Sequence, residues 1–284
     1  MAQSDGGTSV DDANRPIWST VADEYAIEGW GDPGEVVALR VAADRARGRP
    51  VLDLGVGGGR TTSLLRLVSD DYTGIDYTPE LVALCRERHP GEDIRLGDAR
   101  SLPEVGSGSK GLVVFSNNGI DAVDHPGREE ILAEAHRVLE PGGTFYYSTL
   151  NKDGPLFGAH PGNAPGITWQ IGSLLPLATS TAPGGGPGST PDDQATDDPS
   201  WVTAMRNWRR LRRLTRDEGE WGMAPFAAHA FCLVTHFVTL RGAENELDRH
   251  GFELEVVVPC DGTEPLAPGG ETGAMYVHLV ARRR

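Results

Sequence analysis

Apolar residues fall along this chain in two rhythms. Short, largely apolar blocks, Pro50–Leu54, Tyr72–Asp76, Ile94–Asp98, Leu112–Asn117 and Thr144–Thr149, alternate with stretches in which apolar positions recur every three or four residues. The blocks predict strands covered on both faces, and the stretches predict helices. Strands and helices that alternate in this way imply right-handed crossovers and an α/β fold with a doubly wound, Rossmann-like parallel sheet. The helix starts are marked too. Asp32-Pro33 offers an N-cap followed by proline at the first helical position, Thr78-Pro79-Glu80 opens another helix, and a further one runs from about Arg128 to Leu139. Before the first strand, Trp18, Val21, Ala22 and Tyr25 share one helical face, a core-packing stripe that is also placed to flap over a ligand.

The regular beat stops at Leu150. Residues 151–240 predict an insertion after the fifth strand, a lid that carries the acceptor pocket, and its glycine- and proline-rich part, 180–199, reads as mobile. Trp201 to Asp217 predicts a helix with Arg206, Arg209, Arg210, Arg213 and Arg216 around an apolar face. Phe226 to Leu240 is apolar, with His229 and His236 embedded in it. Residues 241–284 then return to the core. A helix from Ala243 to His250 precedes strands Phe252–Val258 and Ala274–Ala281, whose connection contains no helix and so predicts an antiparallel hairpin at the sheet edge. Residues 1–15, polar and acidic, read as a disordered tail, and 16–150 as a ligand-binding core.

Composition narrows the partners. The 284 residues carry 41 acidic against 26 basic side chains, a formal charge of −15, which disfavours nucleic acid as a partner. Three cysteines without a CxxC signal neither a disulfide framework nor a zinc site, so no metal is expected and a cytoplasmic location is. The start of the chain lacks a signal-peptide pattern, and no apolar run has the length of a membrane span.

The chemistry gathers at the strand ends. Asp53, Asp76 and Asp98 each close a predicted strand at one edge of the sheet, and Gly55-Val-Gly57-Gly-Gly59 forms a glycine-rich turn into a helix. That is a nucleotide-type crevice. A nicotinamide fingerprint would need glycine or alanine where Arg60 stands. With Val51-Leu-Asp-Leu-Gly-Val-Gly-Gly-Gly59, Gly74-Ile-Asp76-Tyr-Thr-Pro-Glu-Leu81, Gly97-Asp98-Ala99 and Arg137-Val-Leu-Glu-Pro-Gly-Gly143 in family order, the chain resembles the class I S-adenosylmethionine-dependent methyltransferases. Phe115-Ser-Asn-Asn-Gly-Ile-Asp121 through His125 is similar to a bacterial small-molecule subset of them.

The resemblance implies S-adenosyl-L-methionine as cofactor. It places Gly55, Gly57 and Gly59 under the methionine and ribose portions, Asp53 at the ammonium end, Asp76 on both ribose hydroxyls, Tyr77 beside the adenine, Asp98 and Ala99 on the adenine edge, and Ser116 and Asn117 facing the methionine. Tyr25 belongs to the flap over the cofactor. A hydroxyl or a protonated amine as nucleophile needs a general base, for which His125, His229 and His236 are the candidates. Each also has a structural reading, as a helix cap for His125 and as core packing for the other two. The expected activity is methyl transfer to a nitrogen or oxygen of a small metabolite. The arginine-rich helix suits an anionic acceptor, and the abundance of Gly, Ala, Arg and Asp suggests natural-product biosynthesis. The same signature fits a cofactor-binding protein that transfers no methyl group, and a peptide or protein methyltransferase.

Overall fold

The computed structural model describes residues 10–20, 30–162, 175–176 and 201–284. Helices α1 (Val10–Thr20) and α2 (Pro33–Ala46) come first, and four strands follow, three of them with a helix after them. They are β1 (Val51–Leu54) with α3 (Thr62–Arg66), β2 (Tyr72–Asp76) with α4 (Pro79–Arg88), β3 (Asp93–Leu96), and β4 (Lys110–Phe115) with α5 (His125–Val138). Strand β5 (Leu139–Leu150) ends the repeat. Beyond it lie α6 (Trp201–Leu211) and three short strands, β6 (Arg216–Asp217), β7 (Trp221–Pro225) and β8 (Val234–Val238). Helix α7 (Leu240–Arg249) and strands β9 (Phe252–Pro259) and β10 (Tyr276–Arg283) complete the chain.

The main sheet has seven strands in the order β3-β2-β1-β4-β5-β10-β9. Strands β1 to β5 are parallel, and β10 runs antiparallel to both β5 and β9, so the edge hairpin predicted from the helix-free connection is present. Side chains alternate across the sheet, as the pleat requires. Val51, Val114 and Tyr146 pack under α2 with Ala38 and Ala42, whereas Leu52, Val113 and Phe145 face α5 and α7 through Ile131, Ala135 and Leu247. Residues at both faces of β1 are fully buried, which is why that block reads as continuously apolar. The strand order reverses between β1 and β4. Their carboxyl ends diverge there and leave a crevice, the place where such sheets hold ligands.

Asp32 caps α2 as expected, accepting from the Glu35 amide at 2.8 Å, and it also takes hydrogen bonds from Tyr276 (3.0 Å) and His278 (2.9 Å). The cap thereby fixes α2 to β10. Three expectations change. Helix α1 begins at Val10, inside the segment whose polarity predicts a tail; Asn14 explains it, because its buried amide donates to the carbonyls of Ala122 (3.0 Å) and Val234 (2.7 Å) and accepts from the Val234 amide (2.9 Å). The helix expected from Trp201 to Asp217 stops at Leu211 and gives way to a 3-10 turn and β6. The apolar run from Phe226 to Leu240 divides into a 3-10 turn, Ala228–Phe231, and β8. Strands β6, β7 and β8 form a separate antiparallel sheet with β7 in the middle, and β8 meets the chain just beyond the end of β5 through a bridge between Val238 and Asn151. Tyr25 and the segment 180–199 lie outside the described residues. Among the described residues no helix is long and apolar enough to cross a membrane.

Candidate functional site

The crevice at the β1/β4 reversal holds about 880 Å³ of atom-free space, its open mouth included. One wall is the turn after β1. Gly55 and Gly57 sit at φ of 61° and 55°, a region that costs little only without a Cβ. At Gly55 the Phe115 ring presses so close that a Cβ would fall 2.5 Å from it, and at Gly119 the same ring would meet a Cβ at 2.2 Å. Phe115 is therefore clasped between two glycines and forms the floor. The opposite wall is the turn after β4, where Asn117 and Asn118 both adopt left-handed backbone, at φ of 51° and 57°. Side-chain residues in such conformations persist where the surroundings over-determine them, and asparagine tolerates them best. The Asn118 amide donates to Ser148 Oγ at 2.7 Å, which anchors the turn to β5.

Polar groups are placed at the two ends of this crevice. At the β2 end, one Asp76 oxygen accepts from the Gly57 amide (2.9 Å) and the other from the Thr78 amide (2.8 Å). Burial pushes the Asp76 carboxyl up from its usual value, and these backbone donors oppose the shift. Its two oxygens stand on the crevice wall, in the arrangement that suits the two hydroxyls of a vicinal diol. Tyr77, Ala99 and Trp18 line the crevice near it, with Arg15 lying 4.8 Å over the Tyr77 ring. At the β4 end, Arg60 meets Glu35 in a two-pronged ion pair, both contacts at 2.6 Å, and donates to Ser116 Oγ at 3.1 Å. Asn118 Oδ1 is buried and has no hydrogen-bond partner among the described residues. A diol acceptor at one end, a guanidinium and an unmet acceptor at the other, and glycines between them fit an elongated ligand with a ribose and an amino-acid end.

Residues 51–143 match the model of a methyltransferase domain family. They form a class I S-adenosylmethionine-dependent methyltransferase domain. The chain is 36% identical over 124 residues to a Mycolicibacterium smegmatis protein named a "probable S-adenosylmethionine-dependent methyltransferase", covering 43% of this chain and 46% of that one. It is 33% identical over 150 residues to a ubiquinone biosynthesis O-methyltransferase of Xanthomonas campestris, covering 51% of this chain and 58% of that one. These alignments thus span about half the length of the curated relatives. Among solved structures, the fold matches 1,6-didemethyltoxoflavin-N1-methyltransferase of Burkholderia thailandensis, bound to S-adenosylhomocysteine, with a TM-score of 0.56, 14% identity and coverage of 99% of this chain and 93% of that one. A methyltransferase from Mesorhizobium loti gives a TM-score of 0.55 at 20% identity, covering 88% and 98% respectively.

The methyltransferase domain places the sequence-predicted residues unequally. Gly55, Gly57, Asp76, Tyr77, Ala99, Ser116 and Asn117 all line the crevice. Asp53 does not; it is fully buried behind the turn, and one of its oxygens accepts from Thr61 and from Tyr72, both at 2.9 Å. Burial pushes its carboxyl up to about 6. Asp98 is also off the wall, gripped by Arg100 at 3.0 and 2.6 Å, and Gly59 makes room for the His89 ring rather than for the crevice. Arg60, Asn118 and Gly119 line the crevice although the sequence pattern does not single them out.

The histidines gather elsewhere. His125 at the start of α5 and His236 in β8 share a 3.1 Å N···N hydrogen bond, and Trp221 of β7 stacks 4.0 Å from His125. Burial holds His236 well below its ordinary value, so it is neutral at pH 7. His125 Nδ1 lies 4.0 Å from Glu246, whose other oxygen accepts from Arg128 Nε at 2.9 Å. Arg128, fully buried, reaches Asp121 at 2.6 Å, and Asp121 takes further bonds from Thr149 and the Leu150 amide, both at 2.7 Å. His229 belongs to the turn Ala228–Phe231, and its side chain is outside the described residues. Neither His125 nor His236 lines the crevice. On α6, Met205 and Leu211 are buried while Arg206, Arg209 and Arg210 are exposed. The arginines form the outer face of that helix.

Proposed function

We propose that the protein transfers a methyl group from S-adenosylmethionine to a nitrogen or oxygen of a small metabolite, with the segment 151–240 supplying the acceptor pocket. The observation that carries the reading is Asp76: a buried carboxylate held by backbone amides on the wall of a glycine-lined crevice. When bound, S-adenosylmethionine supplies a methyl group already activated on a sulfonium. The residues of this chain then have to bind, align and exclude water. Asp76 fixes the ribose, Tyr77 and Ala99 flank the adenine, and Phe115 keeps the floor apolar. Alignment in a rigid crevice supplies a large share of the acceleration of such a displacement, on the order of 7–11 kcal/mol at ideal geometry.

No histidine among the described residues lines the crevice. The reading therefore gives His125 and His236 the role of joining β8 to α5, and it favours an acceptor that arrives as a free amine or an ionised hydroxyl, needing no base from the wall. A His236→Gln variant keeps the shape of the pH–rate profile on this view. The relatives named as acting on small molecules, the ubiquinone biosynthesis O-methyltransferase and the toxoflavin-precursor N1-methyltransferase, support a metabolite as acceptor. Natural-product biosynthesis in the cytoplasm is consistent with the composition. An anionic acceptor is tested by replacing Arg209, Arg210 and Arg213 together. Exposed charges act weakly, so the expected rise in the acceptor Michaelis constant is at most about threefold.

Incubating the protein with methyl-labelled cofactor and a metabolite extract, followed by untargeted mass spectrometry, tests the activity. Label in a small molecule supports the reading. Label in peptides redirects it to macromolecular substrates, and cofactor binding without any transfer leaves a binding protein.

A further inference from the structure

Six of the chain's 26 basic side chains fall within residues 206–216, a run without a single acid, although the whole chain carries 41 acidic residues and a formal charge of −15. Elsewhere the basic groups are matched. Every arginine and lysine outside that run lies within ion-pair distance of a carboxylate or donates to a backbone carbonyl. Arg206, Arg209, Arg210 and Arg216 are exposed and meet no carboxylate among the described residues, and Arg212, exposed as well, lies 5.2 Å over the Trp208 ring. Helix α6 turns Met205 and Leu211 inward, so Val202, Arg206, Arg209 and Arg210 follow one another on its outer face. The helix macrodipole favours cations in the last turn, which accounts for Arg209 and Arg210. It does not account for Arg206, a turn earlier, or for Arg212 and Arg216 beyond the helix, and like charges one turn apart repel.

We propose that this outer face is a docking surface for a partner protein that presents an acidic helix. The inference goes beyond the transfer reading and does not depend on it; α6 lies in the segment 151–240, so the partner docks beside the part of the chain given to the acceptor. Guanidinium forks match carboxylates in pairs, and complementary charge speeds encounter. Two other anionic partners fit less well. A single-stranded nucleic acid needs aromatic rings to stack on, and no aromatic ring is exposed among the described residues. An anionic bilayer needs an apolar face to insert, and α6 has its apolar face in the protein, with Val202 alone left outside.

Fluorescence anisotropy on the full chain tests the proposal with a labelled helical peptide whose glutamates recur every three or four residues along one side. A permuted peptide of the same composition, with the glutamates spread around the helix, is the control for charge alone. Wild type is expected to bind the striped peptide at least about threefold more tightly than the permuted one, and raising salt from about 20 to about 200 mM should weaken the striped complex about tenfold or more. The variant Arg206→Gln/Arg209→Gln/Arg210→Gln/Arg216→Gln should bring a loss of about tenfold at low salt, since four weak exposed pairs add up. Its S-adenosylhomocysteine affinity, expected within about twofold of wild type, reports that it is folded, and the peptide pair and the salt series test the proposal on wild type alone. Equal binding of the two peptides, a variant that binds as wild type does, or tighter binding of labelled oligouridylate or of phosphatidylglycerol vesicles than of the striped peptide overturns the proposal.

Discussion

Two polar assemblies flank the short turn Gly119–Ala122, and they differ in what they face, the core or an open crevice. Around Arg128 the carboxylates are met from within the core, Asp121 by Arg128, Thr149 and the Leu150 amide and Glu246 by Arg128, and the two histidines meet one another, while Arg128 Nη2 and His236 Nδ1 are buried without a partner among the described residues. That assembly ties α5, α7, β5 and β8 together. In the crevice the same kinds of group are held from behind and open in front, as with Asp76 on its two amides and Asn118 with its unmet oxygen. Closed networks specify a fold. Groups oriented by the protein on the wall of an open crevice specify a ligand.

The contrast can be broken most forcefully at Arg128. Arg128→Met leaves Asp121 and Glu246 buried without their cation, and the expected loss of unfolding free energy is about 3–5 kcal/mol. Denaturant titration checks it, and a near-neutral result would mean that the network contributes little to stability. The next effect is at Asp53 and depends on pH. Its folded value, about 6, lies above its ordinary 3.8, so the native state holds the proton more tightly. The protonated form's advantage is complete below the unfolded value and fades as pH rises through the folded one. Relative to Asp53→Asn, wild type should therefore lose up to about 3 kcal/mol between pH 4 and 7, at most roughly 1.36 kcal/mol for each step of one in pH. A difference that stays flat with pH would show that Asp53 does not titrate in this window. Gly55→Ala comes third. Its φ of 61° and the close Phe115 ring predict a cost of about 1–2 kcal/mol together with loss of S-adenosylhomocysteine binding, measured by thermal shift with and without that ligand.

The closed and open assemblies are also unequally legible in the sequence. The crevice is built from consecutive residues at strand ends, so β1, its glycine turn, Asp76 and Ser116–Asn117 can be read from apolar blocks and their terminators. The pairing of Arg60 with Glu35, 25 positions apart, follows no periodicity, and neither does the 220-residue span between Asn14 and Val234. Asp53 shows the limit from the other side. Its place in the motif suggests a ligand contact, while its burial depends on Thr61 and Tyr72, which reach it only once β1 and β2 are paired. The strands inside the 151–240 segment escape the apolar pattern for a similar reason. β7 and β8 are each five residues long and owe their form to one another rather than to a local pattern.

The central claim is that the crevice at the β1/β4 reversal holds the cofactor through Asp76. Titration of S-adenosylhomocysteine into wild type and Asp76→Ala by calorimetry tests it most directly. The account predicts one site per chain in wild type, and in the variant an affinity lower by at least about tenfold, the worth of a charge-assisted hydrogen bond, with a circular dichroism spectrum that does not change. Equal affinity of the two proteins would contradict it.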